Sequence, residues 1–206
     1  MPVKTLVVGQ MQTNCYFFYD ENFEEAVIID PGDDPDFIKN KINDLELKPQ
    51  AILGTHAHFD HLLGVNELSL DFKIPFYLHK DDNKILKRMT RTASFFIKTD
   101  VGPAPQVNKY LKEGQIIKVG SLSLKVIHTP GHTQGGVCFY CQKEKILFSG
   151  DLLFAHGGYG RTDLEGGNEE MLFKSIKKIL KLAVNTIIYS GHGPKTTIKN
   201  EKKYYK

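Results

Sequence analysis

The stretch "GTHAHFDHLLG", residues 54–64, places three histidines and an aspartate within six positions. Histidine is scarce in this chain, with eight in 206 residues. The apolar run "AIL" directly before the stretch is typical of a buried strand. Neutral imidazole and carboxylate groups are the usual ligands of zinc, and they also bind iron and manganese. The stretch therefore predicts a metal site in the turn that follows a strand.

Three further strand-like runs end in the same way, in a turn of small residues followed by a histidine or an aspartate. They are "LKVIHTPG" before His132, "KILFSG" before Asp151 and "NTIIYSG" before His192. Side chains just beyond strand ends meet at one edge of a sheet layer, where α/β folds place their sites. We therefore expect these three residues to join the stretch 54–64 in one site.

The candidate ligands number seven, which is more than one ion needs. A catalytic zinc uses about three protein ligands and one water, whereas two ions roughly 3.5–4 Å apart use more. A carboxylate bridges two cations and offsets their repulsion, so Asp151, which stands alone between two later histidines, is the expected bridge. The predicted metal ligands are His56, His58, Asp60, His61, His132, Asp151 and His192.

The other histidines and the cysteines do not extend this pattern. His79 and His156 are isolated, and we expect each to be a surface residue or a satisfied core residue, whereas His128, in "IHTPGH", is a candidate to support a ligand. Cys138 and Cys141 mimic a CxxC metal or redox pair. They lie in a strand-like run, where residues three apart face opposite sides, so we expect buried free thiols.

Composition excludes several classes of protein. The net charge is +3, from 27 basic and 24 acidic residues, and a nucleic-acid-binding protein usually has a larger basic excess. No apolar run reaches the roughly 18–20 residues that span a bilayer. No secretion signal is evident, so the three cysteines are expected to be reduced. We expect a cytoplasmic protein without a nucleic-acid or membrane partner; the sequence does not set its oligomeric state.

Short runs rich in Val, Ile, Phe and Tyr recur along the chain, bounded by turn residues, as is typical of strands. The ten runs are "KTLVVG", "CYFFY", "EAVIID", "AILG", "PFYLH", "QIIKVG", "LSLKVI", "GVCFYC", "KILFSG" and "NTIIYSG". Helical spacing appears in "DDPDFIKNKINDLEL", with Asp34 as the cap, and in "NEEMLFKSIKKILKLA". Two further helices are expected, one after "FDH" and one near residues 81–89. Residues 90–114 are expected to form a long loop, and the basic tail "KNEKKYYK" a solvated end. Interspersed strands and helices favour a layered α/β or α+β domain.

The segments "THAHFDH", "HTPGHTQGGV", "FSGDLLF" and "SGHGPKTT" resemble, in the right order, the metal motifs of the metallo-β-lactamase superfamily. The resemblance covers nearly the whole chain and implies a four-layer αββα sandwich with the metals at one edge. We expect residues 1–206 to form this single domain. It assigns one ion to His56, His58 and His132. It assigns the other ion to Asp60, His61 and His192, with Asp151 between the two.

A closer resemblance is carried by "MQTNCYFFY", "DPG" and "GDLLFAHGGYGRTDLEGGN", which are similar to glyoxalase II, especially its short bacterial type. It implies hydrolysis of a small-molecule thioester by a hydroxide formed at two divalent ions. Zinc is the first candidate for these ions, and iron and manganese are the other candidates. Asp60 and Asp151 are then the catalytic carboxylates, and Tyr159 and Arg161 the candidate substrate contacts. The helical glutathione-binding domain of full-length glyoxalase II is expected to be absent, since only residues 193–206 follow His192.

A second activity stays open on the sequence. The segment "GRTDL", residues 160–164, is shared with persulfide dioxygenases, a mononuclear iron branch of the same superfamily. By that resemblance one iron is bound by His56, His132 and Asp151, and two histidines with one carboxylate suit oxygen chemistry. A nucleic-acid phosphodiesterase of the superfamily is disfavoured, because the chain has no long basic insertion.

Overall fold

Two six-stranded sheets form the centre of the computed structural model, which describes residues 2–205. The strands are β1 Val3–Val8, β2 Thr13–Tyr19, β3 Glu25–Ile29, β4 Lys48–Leu53, β5 Phe76–His79, β6 Lys109–Leu111, β7 Ile116–Val119, β8 Leu122–His128, β9 Val137–Cys141, β10 Ile146–Gly150, β11 Ile187–Ser190 and β12 Thr196–Thr197. The helices are α1 Pro35–Asp44, α2 Val65–Phe72, α3 Asn83–Leu86, α4 Met89–Ile97, α5 Glu169–Ile179 and α6 Ile198–Glu201. All ten predicted strand runs are confirmed.

The first half of the chain forms one sheet and the second half forms the other. The first sheet has the order β1-β2-β3-β4-β5-β6, antiparallel from β1 to β3 and parallel from β3 to β6. The second has the order β12-β11-β10-β9-β8-β7, in which only β10 and β11 are parallel. The strands β8, β10 and β11 therefore all end at the same edge, as the sequence predicted.

Successive side chains along the strands face opposite sides of each sheet, and together with the helices they form three apolar layers. In β2, Phe17 packs with Ile38 of α1 on the outer face, and Phe18 packs between the sheets with Phe148. In β10, Leu147 packs outward against α5, which contributes Leu172, Ile176 and Ile179. Strands covered on both faces read as continuous apolar runs. The fold is thus the predicted four-layer αββα sandwich.

The cysteines occupy these layers as expected. Cys138 lies in the outer layer under α5, and Cys141 lies between the sheets. Both are free and fully buried, and burial raises the pKa of Cys138 to about 12. A thiol in this state is a packing group, since reactivity requires the thiolate.

The prediction of a long loop at residues 90–114 is wrong for two parts of that segment. Helix α4 begins at Met89, where Met89 and Ala93 are buried one turn apart, and it ends at Ile97. Strand β6 then pairs with β5, so within this segment residues 98–108 and 112–114 lack helix or strand. The polar residues between the buried positions of α4 hide its period in the sequence.

The tail is also better anchored than expected. Glu201 in α6 is buried, and its carboxylate accepts hydrogen bonds from the backbone N–H groups of His156 and Gly157 and from the Thr196 hydroxyl. Tyr205 donates its hydroxyl to the carbonyl of Gly157 at 3.0 Å. The prediction of a solvated end fails for these two residues, because the sequence does not show their partners.

The prediction that Asp34 caps helix α1 is wrong. Asp34 stands at the N-terminus of α1, but its carboxylate accepts from the backbone N–H of Gly9 at 2.8 Å instead of capping the helix. Across residues 2–205, none of the helices combines the length and apolarity that a bilayer crossing requires.

Candidate metal centre

The four predicted strand ends deliver their side chains to one place. His56 and His58 follow β4, and a 3-10 turn, Phe59–His61, carries the next two ligands. His132 follows β8, Asp151 follows β10 and His192 follows β11. The ligand atoms fall into three overlapping groups, each within 4.8 Å. The groups are His56, His58 and His132; His56, His61 and Asp151; and Asp60, His61 and His192.

The first group brings three imidazole nitrogens to one point. Nε2 of His56 lies 3.1 Å from Nδ1 of His58, and Nε2 of His132 lies 2.8 Å from the same atom. Burial, with the neighbouring His132, lowers the pKa of His58 to about 4. Burial and nearby histidines also lower the pKa of His56 well below its usual value. These groups are therefore neutral imidazoles, the form that binds a metal.

The hydrogen bonds on the far side of each ring fix which nitrogen keeps its lone pair. Nδ1 of His132 lies 2.7 Å from the carbonyl oxygen of Arg161, which only accepts, so this Nδ1 donates. The Thr55 hydroxyl donates to Asp30 at 2.7 Å, which leaves its oxygen to accept from Nδ1 of His56 at 3.0 Å. In both rings the lone pair is on Nε2, directed into the site.

The third group, Asp60, His61 and His192, also combines a carboxylate with two histidines. Nε2 of His192 lies 3.3 Å from Oδ2 of Asp60, and Nε2 of His61 lies 3.6 Å from the same oxygen. Asp151 faces both groups: its Oδ1 is 3.4 Å from Nε2 of His61, and its Oδ2 is 3.6 Å from Nε2 of His132. Asp151 therefore occupies the position of a bridge.

The buried polar atoms at this bridge fit a cation. Nε2 of His61 and Oδ1 of Asp151 are buried without a hydrogen-bond partner among the described residues. Burial opposes a charge on His61, but Asp151 and Asp60 raise its pKa well above the usual value. Burial also opposes ionisation of Asp151, yet His61 lowers its pKa. A divalent ion between these atoms satisfies both, so the residues present fit a metal.

Two glycines leave the room that the ligands need. A Cβ at Gly191 would lie 2.1 Å from Oδ1 of Asp151, and one at Gly160 would lie 2.7 Å from Nδ1 of His132. Contacts this short are sterically forbidden. The backbone at these two positions can approach the predicted ligands this closely only because glycine has no side chain.

A family model described as the metallo-beta-lactamase superfamily matches residues 8–192, which reach from the end of β1 to His192. The chain belongs to the metallo-beta-lactamase superfamily. Proteins of this superfamily bind divalent metal ions, and the His and Asp groups described above supply matching ligands.

Two curated members of the superfamily match nearly the whole chain. A probable metallo-hydrolase, YqgX of Bacillus subtilis, is 36% identical over 203 residues, with 98% of this chain and 95% of that protein covered. The hydroxyacylglutathione hydrolase GloC of Haemophilus influenzae is 33% identical over 205 residues, with 98% and 96% covered. The chain is thus similar to metallo-hydrolases along its full described length.

Three solved structures of the superfamily share the fold. BLEG-1, a B3 metallo-beta-lactamase, has a TM-score of 0.90 at 41% identity, with 98% of this chain and 96% of that chain covered. TTHA1623 in a di-iron-bound form has a TM-score of 0.88 at 36% identity, with 98% of each covered. ETHE1 from Myxococcus xanthus has a TM-score of 0.81 at 26% identity, with 100% and 83% covered. Their different names show that the superfamily fold alone does not select a reaction.

Asp30 is hydrogen-bonded to His61, a predicted ligand, and to Thr55 next to His56, contacts that the sequence did not reveal. Its carboxylate accepts from the backbone N–H and hydroxyl of Thr55, both at 2.7 Å, and from Nδ1 of His61 at 3.0 Å. Asp30 thereby orients His61 directly and His56 through Thr55. Its position in "VIIDPG", directly after β3, was the available signal.

We expect Asp30→Asn to weaken metal binding about 10- to 100-fold, because the amide replaces one of the two acceptor oxygens that orient the ligands. Competition with a chromophoric chelator measures this affinity. Asp44→Asn is the control, since Asp44 is an exposed carboxylate paired with Lys41. Equal affinities for the two variants would contradict the assigned role.

Asp82 is a second residue that sequence reasoning missed. It is fully buried and accepts from the backbone N–H groups of Ala57 and Gly135 and from the Thr133 hydroxyl, at 2.6–2.9 Å. It therefore ties the loop of His56 and His58 to the loop of His132. Burial raises its pKa.

The predicted substrate contacts lie in different surroundings. Arg161 lines the cavity in front of the metal ligands, and its guanidinium binds both oxygens of Asp163, at 2.7 and 2.6 Å. Tyr159 packs against Phe173, with ring centroids 5.2 Å apart, and does not line that cavity. Contact of either residue with substrate stays a prediction.

The remaining histidines lie outside the metal groups around Asp151. His79 is buried, and its ring stacks on that of His128 at 4.3 Å with 14° between the planes. Nδ1 of His79 accepts from the backbone N–H of Asp81, and Nε2 of His128 donates to the carbonyl oxygen of Gln134. His156 is exposed. The two rings are thus held by each other and by backbone groups.

Proposed function

We propose that the chain is a metal-dependent thioester hydrolase that holds two divalent ions. The observation that carries this proposal is the pair of ligand groups on either side of Asp151, beside an open cavity. The similarity to GloC, a hydroxyacylglutathione hydrolase, supports the thioester class. A small molecule is the proposed substrate, because the cavity is a pocket of about 300 Å³.

When bound, the two ions supply a water of lowered pKa and polarise the acyl carbonyl of the substrate. Zinc is the proposed metal, although the same nitrogen and oxygen ligands accept iron or manganese.

The side chains of the protein position the attacking water and hold the ligand groups in place. Asp60, held near His192 and the hydroxyl of Thr13, has an acceptor oxygen at the cavity and orients the attacking water there. Asp151 holds the two ligand groups in register. A thiolate leaves without protonation far more readily than an alkoxide, so no dedicated general acid is needed. His58 and His132 line the cavity, and burial lowers the pKa of His58, so the His58 ring there is a neutral imidazole.

Metal content and product release test this proposal. Protein prepared anaerobically is analysed for zinc, iron and manganese, and release of free thiol is followed from S-lactoylglutathione and from simple acyl thioesters. We expect two ions per chain and thiol release that a chelator abolishes. His79→Ala, which removes a histidine from outside the groups around Asp151, is expected to keep both.

Persulfide dioxygenation is the competing outcome. The segment "GRTDL", which resembles persulfide dioxygenases, makes persulfide dioxygenation the alternative reaction that the experiment must exclude. One iron per chain, oxygen uptake with glutathione persulfide and no thiol release from any thioester would overturn the hydrolase proposal.

A further inference from the structure

The cavity in front of the metal groups has a polar floor and apolar walls. Its floor is formed by metal-group residues, among them Asp60, Asp151 and His192. Its walls are mostly apolar: Met11, Phe59, Phe96, Phe154 and Leu164. A volume of about 300 Å³ is at the small end for ligand pockets, which bury most of their ligand. The carbonyl of a bound thioester would lie on the floor, and the rest of the molecule against the walls.

The charges around this cavity are already paired. Apart from the metal-group residues, Arg161 is the one charged side chain that lines it, and Asp163 neutralises its guanidinium. A second pocket of about 160 Å³ continues past Thr92 and Phe96. There Glu165 pairs with Arg88 and, at 2.8 Å, with Lys84. Among the lining residues of both pockets, each cation already pairs with a carboxylate, so none is held in place solely to receive the carboxylates of a peptide-like thiol carrier.

Helix α4 supplies the aromatic wall. Met89 and Ala93 anchor the helix in the core, and Phe96 stacks on Phe59 with centroids 5.9 Å apart and 16° between the planes. Phe59 directly precedes Asp60, so this aromatic pair adjoins the metal ligands. Phe95, the residue before Phe96 on the helix, is 76% exposed and lines neither pocket.

We propose that the substrate is a thioester with an apolar acyl chain, and that Phe96 and Leu164 set the chain length that this cavity accepts. The inference rests on the proposed hydrolase function and adds the chemical class of its substrate. The acyl chain fills the apolar walls, and the polar thiol carrier extends towards solvent.

The test is the specificity constant kcat/KM for a series of N-acetylcysteamine thioesters, from acetyl through butyryl to hexanoyl. Each buried methylene is worth about 0.8 kcal/mol, so kcat/KM rises about fourfold per methylene until the cavity is filled. S-lactoylglutathione, with its small polar acyl group and charged thiol, is hydrolysed less well than the hexanoyl compound. A second series, acetyl thioesters of ethanethiol, butanethiol and hexanethiol, shows no such rise.

The variant Phe96→Ala is expected to lower kcat/KM for the hexanoyl thioester about tenfold or more, and that for the acetyl thioester less than about twofold. Phe95→Ala, on the same helix, is the matched control: its ring contacts that of Phe96, with centroids 5.3 Å apart, but lies outside both pockets, so we expect neither constant to change. Leu164→Ala serves as a second variant of the cavity lining. Metal content and thermal unfolding of each variant show that the site is intact.

Binding without turnover gives an independent readout. A ketone analogue of the hexanoyl thioester, with a methylene in place of sulfur, is titrated calorimetrically into the protein. We expect Phe96→Ala to weaken this binding about tenfold and Phe95→Ala to leave it unchanged.

The possible failures are distinguishable. If no thioester is hydrolysed, the proposed function fails. If thioesters are hydrolysed but the acyl series is flat, or S-lactoylglutathione is the best substrate, only the apolar-acyl inference fails. A rise in the thiol series instead of the acyl series would overturn the placement of the acyl chain on the apolar walls.

Discussion

Asp151→Ala is expected to lose its bound metal and to lower kcat/KM by at least about 1,000-fold, equivalent to about 4 kcal/mol of transition-state stabilisation. Oδ1 of Asp151 faces His61 and its Oδ2 faces His132, so the substitution removes a ligand from both groups at once. It also leaves the two groups without the negative charge that lies between them. Metal analysis after gel filtration and thiol release under saturating metal measure the two effects.

Asp71→Ala is the control for this substitution. Asp71 is an exposed carboxylate on α2 that pairs with Lys39, and its removal is expected to change neither metal content nor rate. If Asp151→Ala kept both ions, the dinuclear assignment would be wrong. If it kept a single ion with undiminished turnover, the reaction would need only one of the two groups.

Gly191→Ala is expected to be nearly as damaging, although it adds a single methyl group. Its Cβ would lie 2.1 Å from Oδ1 of Asp151 and 2.8 Å from Cε1 of His61, so ligands of both ions must move. The backbone cannot retreat easily, since Gly191 donates its N–H to Gly150 and accepts from the N–H of Asn14. A displacement of about 1 Å at reacting groups costs about 100-fold in rate, and we expect at least that loss in kcat/KM.

Gly102→Ala is the matched control for Gly191→Ala. No atom lies within 4 Å of a Cβ at Gly102, and its backbone angles suit any residue. Both variants are compared by metal content, kcat/KM and thermal midpoint. A Gly191→Ala protein with normal metal content and normal rate would show that the ligands have more freedom than these distances allow.

The sequence predicted the strand ends well because their signals are local. A run such as "KILFSG" is apolar, ends in small residues and is followed by Asp151, and all of this is visible within seven positions. The sandwich also follows from local alternation, as Phe17 and Phe18 show by facing different layers. Each of these features depends on neighbours in the chain, which a sequence displays directly.

The features that the sequence did not reveal depend on partners far away in the chain. Asp82 is buried because it meets Ala57 and Gly135, 25 and 53 positions away. Glu201 is buried because it meets the turn at His156, 45 positions away. The helical period of α4 is not evident in the sequence, because polar residues separate its buried residues Met89 and Ala93. The apolar wall that Phe96 adds beside the metal ligands could therefore not be anticipated.

The division of the two sheets between the two halves of the chain has a consequence for how the protein matures. Each ligand group takes two residues from the first half and one from the second: His132 joins His56 and His58, and His192 joins Asp60 and His61. Neither half alone can hold a complete set of three, so tight metal uptake depends on contacts that close over long stretches of sequence. We therefore expect tight metal binding only after the two halves have packed together at this edge.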